Sequence, residues 1–415
     1  MDGKRLHILH VAASLGPESA AGRLCTALRR KGVRISVLSV DGVSFDDGQY
    51  FVGSKFIKKN RKRVGRGALK LFHPQRDRSL PWSLSICGYD LWRYIYEIQP
   101  DIVHLHWIAD STLDIMQLSK ISIPIVWTFH DVWPLTAGCH CDLGCPKWKS
   151  RCYQCPQLGA GVAGVDLAAW AWKAKNKAYL GLSQVTAIAP SLWMTSMANQ
   201  SPLWKGKAVY HIGNALDTEV FSPRDRLMCK RKLGLPENIP TVLFGATDTS
   251  IPYKGFTLLL QTLCKLKGQG LNVHLVIFGY HKPVQQLPCQ ATYIGKLPNN
   301  ALPEVYSAAD ILVAPSLQEC FGMVIGEASA CETPCVAFDI GGVSDIIQDG
   351  YTGFLAQPLN VDHLAQCIKR LLINGELAEQ FGKNARKHIL DSFDSDLIAK
   401  KHIELYEVLL SGKKI

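Results

Sequence analysis

Two doubly wound α/β domains, each a parallel sheet covered by helices on both faces, are the fold this sequence predicts. Three observations carry that expectation. Short strand-like apolar runs alternate with amphipathic helical ones through both halves. The chain has 415 residues, more than one ordinary core accommodates, so two domains of roughly 200 residues each are expected. A turn-rich stretch near the middle, HIGNALDTEVFSPRDR at 211–226, interrupts the alternation and marks the seam.

Taken in order, HILHVAA at 7–13 and VRISVLSV at 33–40 read as buried strands. They flank ESAAGRLCTALRRKG, whose apolar positions recur at three- and four-residue spacing, as on one face of a helix. DIVHLH, IPIVWTF, VTAIAP and KAVYHI are further short buried strands. Beyond the seam, TVLFGAT, NVHLVIFG, ATYIG, DILVAPS and TPCVAFD repeat the strand pattern. FTLLLQTLCKLKGQG, NALPEVYSAA and MVIGEASACE are helices between them, the first ending at glycines suited to a C-cap. Three more helices, within 359–376, 376–390 and 395–410, finish the chain.

Composition narrows the function classes. Apolar residues make up 47% and charged residues 20%, the balance of a soluble globular protein. No apolar run reaches the ~18 residues a membrane span needs. The N-terminus runs straight into a strand-like segment and does not read as a signal peptide, so a cytoplasmic protein is expected. The net charge of +11 is uneven: from Lys55 to Arg78, ten basic residues accompany one acid, Asp77. This segment reads either as a solvated, mobile surface loop or as a patch meeting anionic lipid headgroups or a phosphate-bearing substrate. It lacks interleaved stacking aromatics, so nucleic acid is not an expected partner.

The segment ECFGMVIGEASA, 319–330, sets two carboxylates eight residues apart around a glycine-bearing helix entry. Unpaired amides at a helix start, together with the macrodipole, form an anion site. Gly322 lets backbone approach a phosphate closely. Carboxylates would repel a diphosphate, so Glu319 and Glu327 are expected to accept hydrogen bonds from hydroxyl groups instead. Eight helical residues span ~12 Å, the reach of a ligand with hydroxyls at both ends and a diphosphate between. A nucleotide-sugar fits.

This stretch resembles the Glu-x7-Glu motif of family-4 retaining glycosyltransferases. VYSAADILVAPSLQE before it, ETPCVAFDIGGVSDIIQDGYTGFLAQP after it with Gly341-Gly342, and HIGNALDTEVFSP at the seam are similar to the family as well. Ala215 stands where the family usually has Gly. The resemblance implies the GT-B fold, two Rossmann-like domains facing a cleft with the C-terminal helix returning to the first domain. The implied divisions are an acceptor-side domain over 1–215, a nucleotide-sugar-binding domain over 216–394, and a returning helix over 395–415. By match, Glu319 contacts the transferred sugar and Glu327 the ribose, while amides around Phe321, Gly322 and Met323 hold sugar and diphosphate.

Further matches extend the site. YKGF opens the first long helix of the second domain, and Lys254 resembles the family's diphosphate-binding lysine. A cation is physically needed there, because the departing diphosphate gains negative charge. The Arg that usually follows the preceding strand is missing: GATDTS has Ala246 and Thr247 in that region. In VWTFHDVWPLT, His130 and Asp131 follow a buried strand. The resemblance places His130 against the transferred sugar, positioning rather than attacking, with Asp131 holding the imidazole or reaching the acceptor. GPESAAG, Gly16 to Gly22, resembles the family's small-residue loop near the diphosphate or acceptor.

Five cysteines crowd into GCHCDLGCPKWKSRCYQCP, within the loop 138–157. Cys139, Cys145, Cys152 and Cys155 form a candidate structural zinc set, with His140 and Cys141 as extra donors; free thiols are the alternative. The loop looks like one in exopolysaccharide glycosyltransferases of the colanic-acid type.

The expected activity is transfer of a hexose from a nucleoside-diphosphate sugar to a polysaccharide or polyprenyl-diphosphate-linked acceptor, with retention and no catalytic metal. The basic segment 55–78 would bring the enzyme to the inner membrane face. A nucleotide-sugar 2-epimerase and a nucleotide-sugar-binding protein without turnover are the alternatives.

Overall fold

The computed structural model describes residues 5–40, 49–51, 55–90, 92–280 and 286–412. The chain divides into two compact units, Met1–Gly213 with Ile398–Ile415, and Asn214–Leu397.

In the first unit the strands are β1 (His7–Ala12), β2 (Arg34–Ser39), β3 (Gln49–Phe51), β4 (Ile102–Leu105), β5 (Ile125–Thr128), β6 (Val185–Ala189) and β7 (Ala208–His211). They form one seven-stranded parallel sheet in the order β3-β2-β1-β4-β5-β6-β7. β1, β4, β5 and β6 are buried along their whole lengths, as strands covered on both faces must be. The strand order reverses between β1 and β4, where such sheets bind ligands beyond the carboxyl ends of their strands. His10 on β1 lies in register with His104 on β4.

The helix Ala20–Arg30 begins at Ser19, whose hydroxyl accepts from the Gly22 amide at 3.0 Å. Gly22 has a steric reason: a Cβ there would lie 2.0 Å from the carbonyl oxygen of Gly16. The final helix is Ser395–Ser411, and from Ile398 onward it belongs to this unit. It buries Ile398, Ala399, Leu405 and Tyr406.

Of the two expectations for the basic segment, a loop is corrected to a helix. Residues Lys55–Phe72 are helical, because Lys, Arg and Leu are good helix formers and no proline intervenes before Pro74. The helix buries Leu69, and Lys62 and Arg66 both approach Asp110, at 3.9 and 2.6 Å. Among the described residues no helix is long and apolar enough to cross a membrane.

The second unit holds β8 (Thr241–Asp248), β9 (His274–Tyr280), β10 (Ala291–Gly295), β11 (Ile311–Ala314), β12 (Cys335–Phe338) and β13 (Gly353–Ala356). They form a parallel sheet in the order β10-β9-β8-β11-β12-β13, reversing between β8 and β11. β3 and β13 were not anticipated; at three and four residues they are too short to show a period. One sheet face packs on Tyr306, Phe321 and Ile325, the other on Phe244, Leu263 and Ile368. Leu216 is bonded on both sides to the chain at Phe393 and Ser395, with amide contacts of 3.0 and 2.9 Å. The seam thereby enters this unit's core.

Candidate functional site

In the second unit, the predicted residues gather where the strand order reverses. β11 ends at Ala314, and Ser316 and Glu319 lie in the loop that follows. The Ser316 hydroxyl donates to Glu319 Oε1 at 2.9 Å, and Lys254 Nζ donates to the same oxygen at 2.6 Å. Both members of the ion pair keep partial exposure, 23% for Lys254 and 19% for Glu319. The loop carrying Lys254 is tied to the β11 loop by the Leu317 amide, which donates to the Tyr253 carbonyl at 2.7 Å. Gly255 makes that approach possible: its φ is +74°, and a Cβ would lie 1.8 Å from the Pro315 carbonyl oxygen. Gly341, at φ +56°, likewise sits where a Cβ would meet the Glu319 carbonyl at 2.0 Å.

The helix Met323–Ala330 starts from Gly322, at φ +101°. The amides of Phe321, Gly322 and Met323 have no acceptor among the described residues, so they are available to an anion. Phe321 is buried, edge-on to Phe393 at 5.2 Å between ring centres. Glu327, one turn into the helix, is 5% exposed and accepts from the Tyr306 hydroxyl at 2.6 Å. Lys254 and Glu319 thus meet in an ion pair at the loop that leads into Gly322, and Glu327 lies one turn along the helix that Gly322 opens; these residues form the candidate site. Ser316 and Tyr306 complete it; a lone Ser or Tyr in these segments gave no signal in the sequence.

In the first unit, His130 is half-buried just beyond β5. Its Nε2 lies 3.0 Å from His106 Nδ1, and His106 Nε2 lies 2.8 Å from His10 Nδ1. A fourth ring, His104, is bonded through Nδ1 to the Tyr406 hydroxyl at 2.6 Å and through Nε2 to Thr128 Oγ1 at 2.7 Å. Burial holds all of these rings neutral at pH 7. It lowers His130 to about 4, against the pull of Asp131, and His10 to about 3; His104 and His106 fall well below the ordinary imidazole range.

Asp131 does not hold the His130 ring. Its Oδ2 accepts from His140 Nδ1 at 2.6 Å and from the Trp107 indole at 2.8 Å, while Oδ1 accepts from the Trp133 amide at 2.9 Å. Burial would raise its pKa, but these donors hold it below the ordinary carboxylate range. Gly16 lies within the loop between β1 and the first helix, its carbonyl accepting from the Ser19 amide and hydroxyl at 3.0 and 2.7 Å.

The cysteine loop is bridged to Trp82 through Cys139. Cys139, Cys145, Cys152 and Cys155 line one small pocket of about 20 Å³ with Trp82 and Trp148. Burial pushes the Cys139 thiol well above its ordinary range and Cys152 up to about 11. His140 is no spare donor, since its Nε2 is bonded to Ser83 Oγ at 2.8 Å and its Nδ1 to Asp131. Zinc is not supported at these cysteines. Among the described residues, the side chains whose donor atoms approach closely enough to share an ion are His10, His104 and His106, within 4.8 Å of one another. Those rings do not suit a metal either. Both nitrogens of His104 are already engaged, by the Tyr406 hydroxyl and Thr128 Oγ1, and His10 Nδ1 is bonded to His106 Nε2.

Residues 16–192 match the family model described as Glycosyltransferase Family 4, and residues 229–388 match Glycosyl transferases group 1. An uncharacterized glycosyltransferase of Methanocaldococcus jannaschii is 27% identical over 223 residues, a match that covers 51% of this chain and 56% of that protein. The chain thus spans only about half the length of that relative. Among solved structures, sucrose-phosphate synthase from Thermosynechococcus elongatus superposes with a TM-score of 0.73 at 18% identity, covering 99% of this chain and 100% of that one. HepE from Anabaena, in complex with UDP and glucose, gives 0.64 at 18% identity, covering 97% and 100%. At these identities the structural likeness concerns the fold.

Proposed function

We propose that this chain, in which residues 16–192 and 229–388 match glycosyltransferase family models, is a glycosyltransferase that moves a hexose from a nucleoside-diphosphate sugar to a saccharide or lipid-linked acceptor with retained configuration. The observation that carries this reading is the cluster at the end of β11. One cation, two carboxylates and a helix start with open amides lie together there. The amides of Phe321, Gly322 and Met323 take the diphosphate, and Lys254 adds the positive charge its departure calls for. Glu319 then accepts from hydroxyls of the sugar, and Glu327, held by Tyr306, from the ribose.

In the reaction, the bond from the anomeric carbon to the diphosphate oxygen breaks. A bond to the acceptor oxygen forms on the same face, and the acceptor proton leaves with the diphosphate. His130 and Gly16, from the first unit, are assigned to positioning the sugar and diphosphate, and Asp131 to holding His140 and Trp107 in place. With Lys254 and the helix amides balancing the leaving group, the step needs no metal. The complex of HepE with UDP and glucose is in keeping with a UDP-sugar as donor. The basic helix and its flank, 55–78, are assigned to an anionic membrane surface, which suits an acceptor on a polyprenyl diphosphate at the cytoplasmic face.

Incubation with UDP-, GDP- and ADP-sugars tests the reading. One of them is expected to raise the melting point and to be slowly hydrolysed, and Glu319→Ala to lose that hydrolysis by at least about 100-fold, roughly 3 kcal/mol. Mass spectrometry of the products separates a new glycoside from an epimer. No binding by any of these sugars sinks the assignment.

A further inference from the structure

We propose that His106 and His10 are positioning residues that fix His130 as the tautomer protonated on Nδ1, so that it offers an N–H donor, not a lone pair, beyond the end of β5. The functional consequence rests on the reading that His130 acts on the donor sugar; the tautomer itself does not.

The three rings form a directed line. His10 Nδ1 meets His106 Nε2 at 2.8 Å, and His106 Nδ1 meets His130 Nε2 at 3.0 Å. Each neutral ring carries one proton, so each contact needs one N–H and one lone pair. Only two arrangements satisfy both contacts. Either every proton sits on Nδ1, leaving a bare lone pair at His10 Nε2 and an N–H at His130 Nδ1, or every proton sits on Nε2, with the reverse at both ends.

Three observations choose between them. First, His10 Nε2 is buried and has no hydrogen-bond partner. The second arrangement would bury a donor there with no acceptor, and orphaned N–H groups are the rarer defect in folded proteins. Second, the Arg29 cation lowers the proton affinity of His10. A positive charge there favours a lone pair over an N–H. Third, the Asp131 carboxylate, fixed by its own three donors, acts on His130 at the opposite end. A negative charge there draws the protons toward that end. Both charges polarise the line in one sense, and each bond strengthens the next.

His104 stands outside this line because both its nitrogens are engaged, by Tyr406 and Thr128. It stacks on His106 at 4.3 Å between centres and lies tilted against His10 at 4.8 Å, which holds both rings in place. His130 Nδ1 has no partner among the described residues. Carrying the proton, it can donate to a hydroxyl or phosphate oxygen of a ligand, which a lone pair would repel.

The full chain labelled with ¹⁵N-histidine tests this by long-range proton–nitrogen spectra at pH 7, with His130 assigned by its loss in His130→Gln. The expected result is a protonated Nδ1 and a bare Nε2 on His130; a protonated Nε2 overturns the proposal. His106→Leu removes the donor to Nε2. It should give His130 mixed tautomers and lower kcat for donor hydrolysis about tenfold, roughly 1.4 kcal/mol, with KM unchanged within about twofold. His106→Asn, whose amide nitrogen can stand near Nδ1, should restore both. Unaltered tautomers in His106→Leu would overturn the proposal, and should that variant not fold, the spectrum of the unmodified chain decides alone. A chain with the Nδ1 signature that hydrolyses no donor supports the tautomer and removes only the functional reading.

Discussion

The two units furnish the same place in a parallel sheet, the carboxyl ends of strands where the order reverses, with opposite materials. In the second unit the site is charged and partly open: Lys254 and Glu319 form an ion pair on two left-handed glycine turns, Gly255 and Gly341. In the first unit it is a stack of neutral rings in the interior, reaching the surface only at His130. An ion pair left in partial contact with water stabilises little and stays free to change partners. Buried imidazoles contribute through packing and hydrogen bonds, and they resist any added proton. The two halves should therefore answer differently to pH, to backbone crowding and to loss of charge.

Acid should produce the largest difference. Five rings of the first unit, the buried His10, His104, His106 and His402 and the half-buried His130, have pKa values lowered by desolvation, three of them to about 3 or 4. In the unfolded chain each titrates near 6.5. Between those values the unfolded chain binds more protons, so stability falls as pH drops through 6.5 and recovers as pH rises. Each ring contributes up to about 1.4 kcal/mol per pH unit, which makes the total at pH 5.5 on the order of 5 kcal/mol. In the second unit only His274 shows such a shift among the described residues. All ten tryptophans lie between Trp82 and Trp204, so their emission reports the first unit alone. Denaturant midpoints from tryptophan emission should fall steeply from pH 7 to 5.5, while those from hydrogen exchange in the second unit shift far less. Parallel shifts in both would break the contrast.

Crowding a glycine turn should reverse the pattern. Gly255→Ala combines a left-handed φ with a Cβ placed 1.8 Å from the Pro315 carbonyl, and should destabilise the second unit by roughly 3 kcal/mol. The loop carrying Lys254 must then withdraw from the β11 loop. Far-UV circular dichroism should show the loss with the tryptophan transition unmoved, and nucleotide-sugar binding should disappear. A change confined to the tryptophan signal would place the strain in the wrong unit.

Tyr306→Phe is a gentler change in the same unit. It removes one donor from the buried Glu327 carboxylate and should lower stability by about 1–2 kcal/mol. If that bond orients Glu327 for a ribose, donor affinity falls about 3- to 10-fold while turnover of bound donor stays near its original value. An unchanged dissociation constant, measured by calorimetry, would separate Glu327 from the donor.

The same contrast explains what could be read in the chain beforehand. The second site was legible because its parts are local: Glu319, Gly322 and Glu327 share one loop and helix entry, and Lys254 opens the helix after β8. The first site was legible only at His130 and Asp131. His10, His106 and His140 come from separate segments, and their contacts depend on strand register, such as His10 opposite His104, which no short pattern discloses. The sequence did hold one cue. In DIVHLH, His104 and His106 fall two residues apart and so on one face of a strand, an unusual pair for a buried run. The basic helix was misread because its charges masked the helix-forming tendency of Lys, Arg and Leu. The zinc expectation rested on spacing along a loop alone; the four thiols line one pocket, but His140, the spare donor, is engaged by Ser83 and Asp131.

The smallest expected effect is also the most diagnostic of the charged site. Lys254→Met removes a cation whose partner Glu319 keeps the Ser316 hydroxyl bond and partial exposure to water. The stability of the second unit should change by less than about 1 kcal/mol, since partly exposed ion pairs contribute little. The same substitution should weaken nucleoside-diphosphate binding by about tenfold or more, because a diphosphate offers two charges to a cation that a carboxylate meets with one. Stability and binding are thus expected to part company at Lys254, whereas at His106→Leu ligand affinity is expected to hold and turnover to fall. Should Lys254→Met cost several kcal/mol in urea unfolding yet leave nucleotide affinity intact, the ion pair would be a structural clamp, and the second unit would resemble the first in the way its site is held.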